Sequence, residues 1–247
     1  GTYGEQITIS GKAVSLVGEA GGTIQISKLS AVNIDAFIRI KNIRIDGDVN
    51  GTTTDLQMHD CQMSGDVIVN RGSLVFVQSS VGANLLVNHS NRSNIPTTVK
   101  IVKSTIPEKL TCKAGISIIG YNTIRNAFIE GNSKILGNDF DGNSLFGIGI
   151  DVNGSQTYVR IQNNRISGYN VSNETNFDSK CMGIRITGNA KADITNNIVS
   201  DCYDSHEETC TLAPKRVVHD WIICGQVNQD VSVFERVSVI EMFITFE

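Results

Sequence analysis

Ile119-Gly120-Tyr121-Asn122-Thr123-Ile124, Ile135-Leu136-Gly137-Asn138-Asp139-Phe140, Ile161-Gln162-Asn163-Asn164-Arg165-Ile166 and Ile194-Thr195-Asn196-Asn197-Ile198-Val199 are four copies of one short phrase. Each reads apolar, two residues, Asn, one residue, apolar. Four earlier segments keep the outline with another central residue: Ile38-Lys41-Ile43, Leu56-His59-Cys61, Phe76-Ser79-Val81 and Ile101-Ser104-Ile106. The central residues lie 18, 20, 25, 18, 16, 26 and 33 positions apart. Stacked helices hold a fixed repeat length, whereas short strands joined by loops tolerate drift. The spacing therefore predicts strands. An apolar residue on each side of a polar corner points both side chains inward across the bend. Asn suits the corner because it tolerates left-handed backbone and bonds neighbouring main chain.

A second strand class precedes the corners. Gly147-Ile148-Gly149-Ile150 and Gly183-Ile184-Arg185-Ile186 alternate inward Ile with small or polar residues. The two classes together predict roughly three short strands per coil, each coil burying its apolar face against the next. The expected fold is all-β: a single-stranded, right-handed parallel β-helix of about nine or ten coils. Asn122, Asn138, Asn164 and Asn197 are expected to superpose as a structural corner ladder. Residues 1–210 would form the helix. From Thr211 the Asn corners and Gly spacing disappear, so residues 211–247 are read as a C-terminal cap or an oligomer contact of the same domain. Within that segment, Val231 to Phe246 fits either two alternating strands or one amphipathic helix.

Bulk composition agrees. The 247 residues are 40% hydrophobic and 19% charged, enough apolar surface for a core, with 23 Gly and 3 Pro suited to many tight turns. A net charge of −4 without a basic run argues against a nucleic-acid partner. No apolar stretch is long enough for a membrane span. The six cysteines, at 61, 112, 181, 202, 210 and 224, contain no C-x-x-C pair. Zinc spacing is thus absent. They read as buried thiols, with closure of a small Cys202–Cys210 loop as the alternative. No cofactor is expected. If any cation binds, it is calcium at Asp139-Phe140-Asp141-Gly142-Asn143, which has part of a calcium-loop pattern but no closing Glu.

The succession G-I-x-I, then I-x-x-N-x-I, resembles the parallel β-helix repeats of the pectin lyase-like superfamily, over about residues 1–205. Gly1 to Ile9, with Leu16-Val17-Gly18, is similar to the first turn of pectin methylesterases and related secreted β-helices. The Pro that commonly precedes the Gly there is missing, so a few leading residues are expected to be absent. Gly65-Asp66-Val67-Ile68 is similar to part of the methylesterases' G-D-V-D-F-I-F-G segment. Their R-P-W element is absent, as are the N-T-D, D-D and R-I-K elements of polygalacturonases and the D-P-H-D of mannuronan epimerases. The resemblance implies a secreted or cell-surface protein that binds an extended sugar polymer along the outside of the G-I-x-I strands.

Aligning Ile129, Ile150 and Ile186 as inward residues sets Glu130, Asp151 and Thr187 in one outward column. Phe128, Gly149 and Arg185 fall in the next, and Lys113 lies beside Glu130 one coil earlier. Rungs are about 4.8 Å apart. Two carboxylates that close raise one another's proton affinity, and an Arg beside them steadies a developing anion. Glu130, Asp151 and Arg185 are therefore the expected catalytic residues of a polysaccharide lyase or hydrolase. Lys113, Phe128 and Thr187 are the expected substrate contacts. Tyr158, Tyr169 and Tyr203 are further candidate sugar-stacking platforms. His219-Asp220 is a weaker base-and-orienter pair, because strand neighbours point to opposite faces. The rival expectation is a non-catalytic module: an adhesin, a phage-fibre-like spacer or an oligomeric scaffold, with residues 211–247 as the contact.

Overall fold

The structure is a computed structural model that describes residues 4–19, 24–88, 97–143, 147–154, 157–171, 182–188, 190–204, 221–223 and 231–233. These residues form strands, turns and bends, with no helix among them. Accordingly, no helix of the described residues is long and apolar enough to cross a membrane. The chain divides into two compact units, Gly1–Ile124 and Arg125–Glu247.

In the first unit each coil carries three strand positions. Val67–Asn70 is a first strand and Leu74–Val77 a second, and a single bridge at Ser80 holds the third. Among the described residues, the pairings between coils of this unit are parallel. First strands stack as Val49, Val67, Leu85 and Leu110. Second strands stack as Ile40, Met58, Phe76, Ile101 and Ile119. Third strands stack as Ile26, Ile45 and Met63. All these side chains are buried. Alternate residues face outward, as a pleat requires. Each fully buried aliphatic side chain stabilises the stack by roughly 1.5–3 kcal/mol.

The second unit uses the same arrangement. Ile129, Val152 and Ile186 stack on its first strands, Ile135, Ile161 and Ile194 on its second, and Phe140, Ile166 and Val199 on its third. At its far edge the direction reverses. Trp221–Ile223 pairs antiparallel with Met182–Thr187, and Val231–Val233 pairs antiparallel with Lys191–Thr195. The rest of residues 211–247 lies outside the described residues.

The corner between second and third strands has a fixed form. A residue with left-handed backbone is followed by a buried one: Gln78 then Ser79, Lys103 then Ser104, Tyr121 then Asn122, Asn163 then Asn164, Asn196 then Asn197. The buried side chain accepts from the main chain of the coil before it. In the first unit Cys61 N donates to Ser79 Oγ (3.1 Å), Ser79 N to Ser104 Oγ (3.3 Å) and Ser104 N to Asn122 Oδ1 (2.8 Å). In the second unit Asn138 N donates to Asn164 Oδ1, and Asn164 N to Asn197 Oδ1, both at 2.9 Å. Asn138, Asn164 and Asn197 thus superpose there, while Asn122 completes the Ser79–Ser104 column of the first unit.

Two expected corners shift. Left-handed backbone falls at Asn42 and Asp60, so the buried corner residues are Ile43 and Cys61, not Lys41 and His59. Lys41 pairs with His59 and His59 with Val77 on the outward side of the second strands. The apolar partners become Ile40 with Ile45 and Met58 with Met63.

A further ladder lies before the first strands. Gly47-Asp48-Val49, Gly65-Asp66-Val67 and Ala83-Asn84-Leu85 recur every 18 residues. Asp66 N donates to Asp48 Oδ1 (2.9 Å), and Asn84 N and Nδ2 donate to Asp66 Oδ1 (2.8 and 3.1 Å). A Cβ on Gly65 would lie 2.8 Å from Gly47 C and 2.9 Å from Gly47 O, main-chain atoms of the coil before, so the close approach favours glycine. The segment similar to a methylesterase motif is therefore one rung of a turn repeat. Cys61, Cys112 and Cys202 are buried. Cys181, Cys210 and Cys224 lie outside the described side chains.

Candidate functional site

The outward side of the second unit's first strands carries the residues singled out above. Phe128 stands beside Asp151, and Asp151 beside Arg185, on three successive coils. The Arg185 guanidinium grips the carboxylate with both arms: Nε donates to Oδ1 (2.9 Å) and Nη2 to Oδ2 (2.5 Å). The pair is unevenly covered, the side chain of Arg185 being 37% exposed and that of Asp151 14%. Such fork-to-fork geometry is the strong form of a charge-assisted bond. Phe128 is half-buried and completes the row.

The expected column is corrected by this register. Ile129 pairs with Val152, not Ile150, and Ile150 pairs with Ala127 and Ile184. Asp151 therefore shares its row with Phe128 and Arg185. Glu130 lies two residues beyond Phe128, on the side of Asn153 and Thr187, which pair with each other. Glu130 and Asp151 do not face one another as a carboxylate dyad. Thr187 turns its hydroxyl to the main chain, Oγ1 donating to Val152 O (3.2 Å). Lys113 belongs to the first unit, following Cys112 on its first-strand stack.

No protein-family model, curated protein or solved structure matches this chain. The site must be read from its own chemistry.

An Asp whose two oxygens both receive guanidinium N–H groups is held in one orientation. Each oxygen keeps a second lone pair, but no second carboxylate shares the row, so the paired acid and base of glycoside cleavage are not assembled there. The row suits recognition: an aromatic face, a planar guanidinium and hydrogen-bonding groups at rung spacing.

The remaining candidates separate cleanly. Tyr169 is a core residue whose hydroxyl donates to the Arg125 carbonyl, and burial pushes its phenol well above the ordinary range. Asp141 Oδ1 accepts from Asn143 N (2.9 Å), closing its own turn, while Asp139 pairs beside Arg165. Among the described residues no group of three or more His, Cys, Asp or Glu is placed to hold a metal. His219 and Asp220, and the side chain of Tyr203, lie outside what is described.

Tyr158, a candidate stacking platform, belongs to a cluster with Arg160 and Asp193, which the sequence does not single out. On the second strands of the second unit, Arg160 lies over the Tyr158 ring, Cζ 5.6 Å from its centroid. Its Nε donates to Tyr158 Oη (3.2 Å) and stands 3.6 Å from Asp193 Oδ2, to which the Tyr158 hydroxyl donates. The signal was the alternation Tyr158-x-Arg160 followed one coil later by Lys191-x-Asp193.

Proposed function

We propose that this chain is a right-handed parallel β-helix of the pectin lyase-like kind. It is secreted or displayed at a cell surface, and binds an extended saccharide along the first-strand face of its second unit without cleaving it. The observation that carries this reading is the Phe128–Asp151–Arg185 row. Sugar rings stack on an aromatic face, and their hydroxyl or carboxylate groups match a fixed, planar Asp–Arg pair. Binding is favoured over cleavage because Asp151 is paired with Arg185 and no second carboxylate shares its row. The test is affinity electrophoresis and calorimetry against a panel of neutral and uronic-acid polysaccharides. Retardation by at least one polymer is expected, weakened at least about tenfold by Phe128→Ala or Arg185→Ala. No reducing ends or unsaturated products should appear. Product release that Asp151→Asn abolishes would replace this reading by the lyase or hydrolase one. Absence of binding across the panel would remove the saccharide altogether.

A second reading is supported by the reversed strands at the far edge. Antiparallel pairing by Trp221–Ile223 and Val231–Val233 fits a C-terminal cap on a structural or adhesive module. Truncation after residue 210 would then expose the edge of the last coil and change solubility or oligomeric state. A truncated chain that remains a soluble monomer counts against it.

A further inference from the structure

Two Asn-Gly steps occur in the chain, Asn50-Gly51 and Asn153-Gly154. In such a step the glycine amide nitrogen can attack the side-chain carbonyl of the Asn, and glycine brings no Cβ to obstruct the five-membered ring. Ring closure needs main-chain freedom, and the fold holds the two steps differently. Asn50 and Gly51 pair with the coil before, at Ser30 and Ala31, and with the coil after, at Ile68 and Val69. Gly51 is buried and Asn50 half-buried. Closure there requires the ladder to open first, and paired central strands open rarely.

Asn153-Gly154 stands at the end of a first strand, Ile148–Asn153. Pairing with the coil before reaches Val152, and pairing with the coil after reaches Asn153. Asn153 is exposed. Gly154 N donates to Thr187 O at 3.4 Å, a bond longer than the ordinary range and correspondingly weak. The reacting groups also face one space. A Cβ placed on Gly188 would lie 2.3 Å from Asn153 Oδ1, 3.0 Å from Gly154 N and 3.5 Å from Asn153 Cγ. Glycine leaves that space open, so the amide nitrogen and the carbonyl carbon border the same gap.

We propose that Asn153 is a site of spontaneous deamidation, selected by the fold over Asn50. Gly154 N gives its proton to solvent base and bonds to Asn153 Cγ. The Cγ–Nδ2 bond breaks, and ammonia leaves. Water then opens the succinimide. Attack at Cγ restores the ordinary peptide link with an Asp side chain, and attack at the main-chain carbonyl carbon leaves an isoaspartyl link. No electrons are transferred, and each event exchanges one amide for one carboxylate. The new charge appears on the strand that carries Asp151, two residues from it. The extra main-chain atom of the isoaspartyl link falls after Val152, which pairs with both neighbouring coils, so the stack itself is spared. The chemistry is independent of any saccharide.

Incubation of the full chain in mildly alkaline buffer, folded and in urea, tests it, with isoelectric focusing and peptide mapping by mass spectrometry as readouts. In the folded chain Asn153 is expected to convert at least about tenfold faster than Asn50. The product should show an acidic shift of one charge and a mixture of Asp and isoaspartate at position 153. In urea the two sites should convert at similar rates, because the ladder that protects Asn50 is gone. Asn153→Gln should lose the acidic shift, since its longer side chain must close a slower six-membered ring. Asn153→Asp should carry the shift from the start. Equal rates at Asn50 and Asn153 in the folded chain overturn the proposal. So does an Asn153 that stays intact when folded and converts in urea, or an acidic shift that forms at an unchanged rate in Asn153→Gln.

Discussion

The Oδ1 atom of Asn164 accepts two hydrogen bonds from Asn138 on the neighbouring coil, one from the main-chain N and one from the side-chain Nδ2, both at 2.9 Å. Its own Nδ2 donates to Ile135 O (3.0 Å) and to Asn197 Oδ1 (2.9 Å). Asn164→Ala removes all four and leaves a buried main-chain donor without a partner. A loss of about 2–4 kcal/mol is expected in urea denaturation. Asn164→Ser should lose less, because Ser104 occupies the same corner slot and its Oγ accepts from Ser79 N (3.3 Å). Equal losses for the two variants would show that hydrogen bonding to the coil before is not what the corner supplies.

Left-handed backbone at the exposed residue before each corner is unfavourable for most side chains. Lys103, at φ 52°, holds it without a structural reason for its side chain, and Gly137 (φ 63°) fills the equivalent slot in the second unit. Lys103→Gly is expected to raise stability by up to about 1 kcal/mol. Lys103→Val should lower it by about 1–2 kcal/mol. Chemical denaturation with an unchanged m-value checks both.

Gly149 lies under the Tyr169 ring. A Cβ there would sit 2.7 Å from Gly183 O, 2.8 Å from Ile166 Cγ2 and 2.9 Å from Tyr169 Cε2. The nearest atom is backbone, which cannot step aside as a side chain would. Gly149→Ala should cost about 1–3 kcal/mol through overpacking. A wild-type melting temperature for this variant would show that the stack yields more easily than the geometry implies.

Alkaline pH should destabilise the protein through its buried thiols. Burial pushes the Cys112 thiol from 9.0 up to about 12, and raises Cys61 as well. The folded state therefore keeps a proton that the unfolded chain releases. The stabilisation is complete below pH 9 and is lost progressively between about pH 9 and 12, by roughly 1.4 kcal/mol per pH unit for one group. Denaturation midpoints measured across that window should fall, and Cys112→Ala should flatten the slope. An equal slope in the variant would assign the dependence to other groups.

The later corners were legible because Asn combines two properties there: it accepts left-handed geometry and bonds the adjoining coil. The earlier ones were not, because Ile43 and Cys61 fill the same buried slot without a polar signature. With the slot at 43, 61 and 79, the coil length in this part of the chain is a regular 18 residues. Gly47-Asp48-Val49 and Gly65-Asp66-Val67 carry that period, but in the sequence only Gly65-Asp66-Val67-Ile68 stands out, as a likeness to a family segment. At the candidate site, sequence alternation puts Asp151 and Arg185 in adjacent outward columns, whereas the register puts them in one row, where they meet directly. Glu130 was placed with them by matching Ile129 to Ile150. A first strand with inward residues at 148, 150 and 152 offers two registers that differ by two residues, and sequence alternation does not distinguish them.

The hydrogen bonds between coils have a sense of travel. At the corner before the third strands, each coil's main chain gives its N–H to the side chain of the coil that follows: Ser104 to Asn122, Asn164 to Asn197. At the turn before the first strands the order is reversed, and the later coil gives its N–H to the earlier: Asp66 to Asp48, Asn84 to Asp66. A polypeptide leaving the ribosome would therefore settle one turn immediately and leave the other waiting for the next eighteen or so residues. Excising whole coils in frame would preserve both kinds of stitch. A cut through a coil would orphan amides on whichever fragment loses its successor.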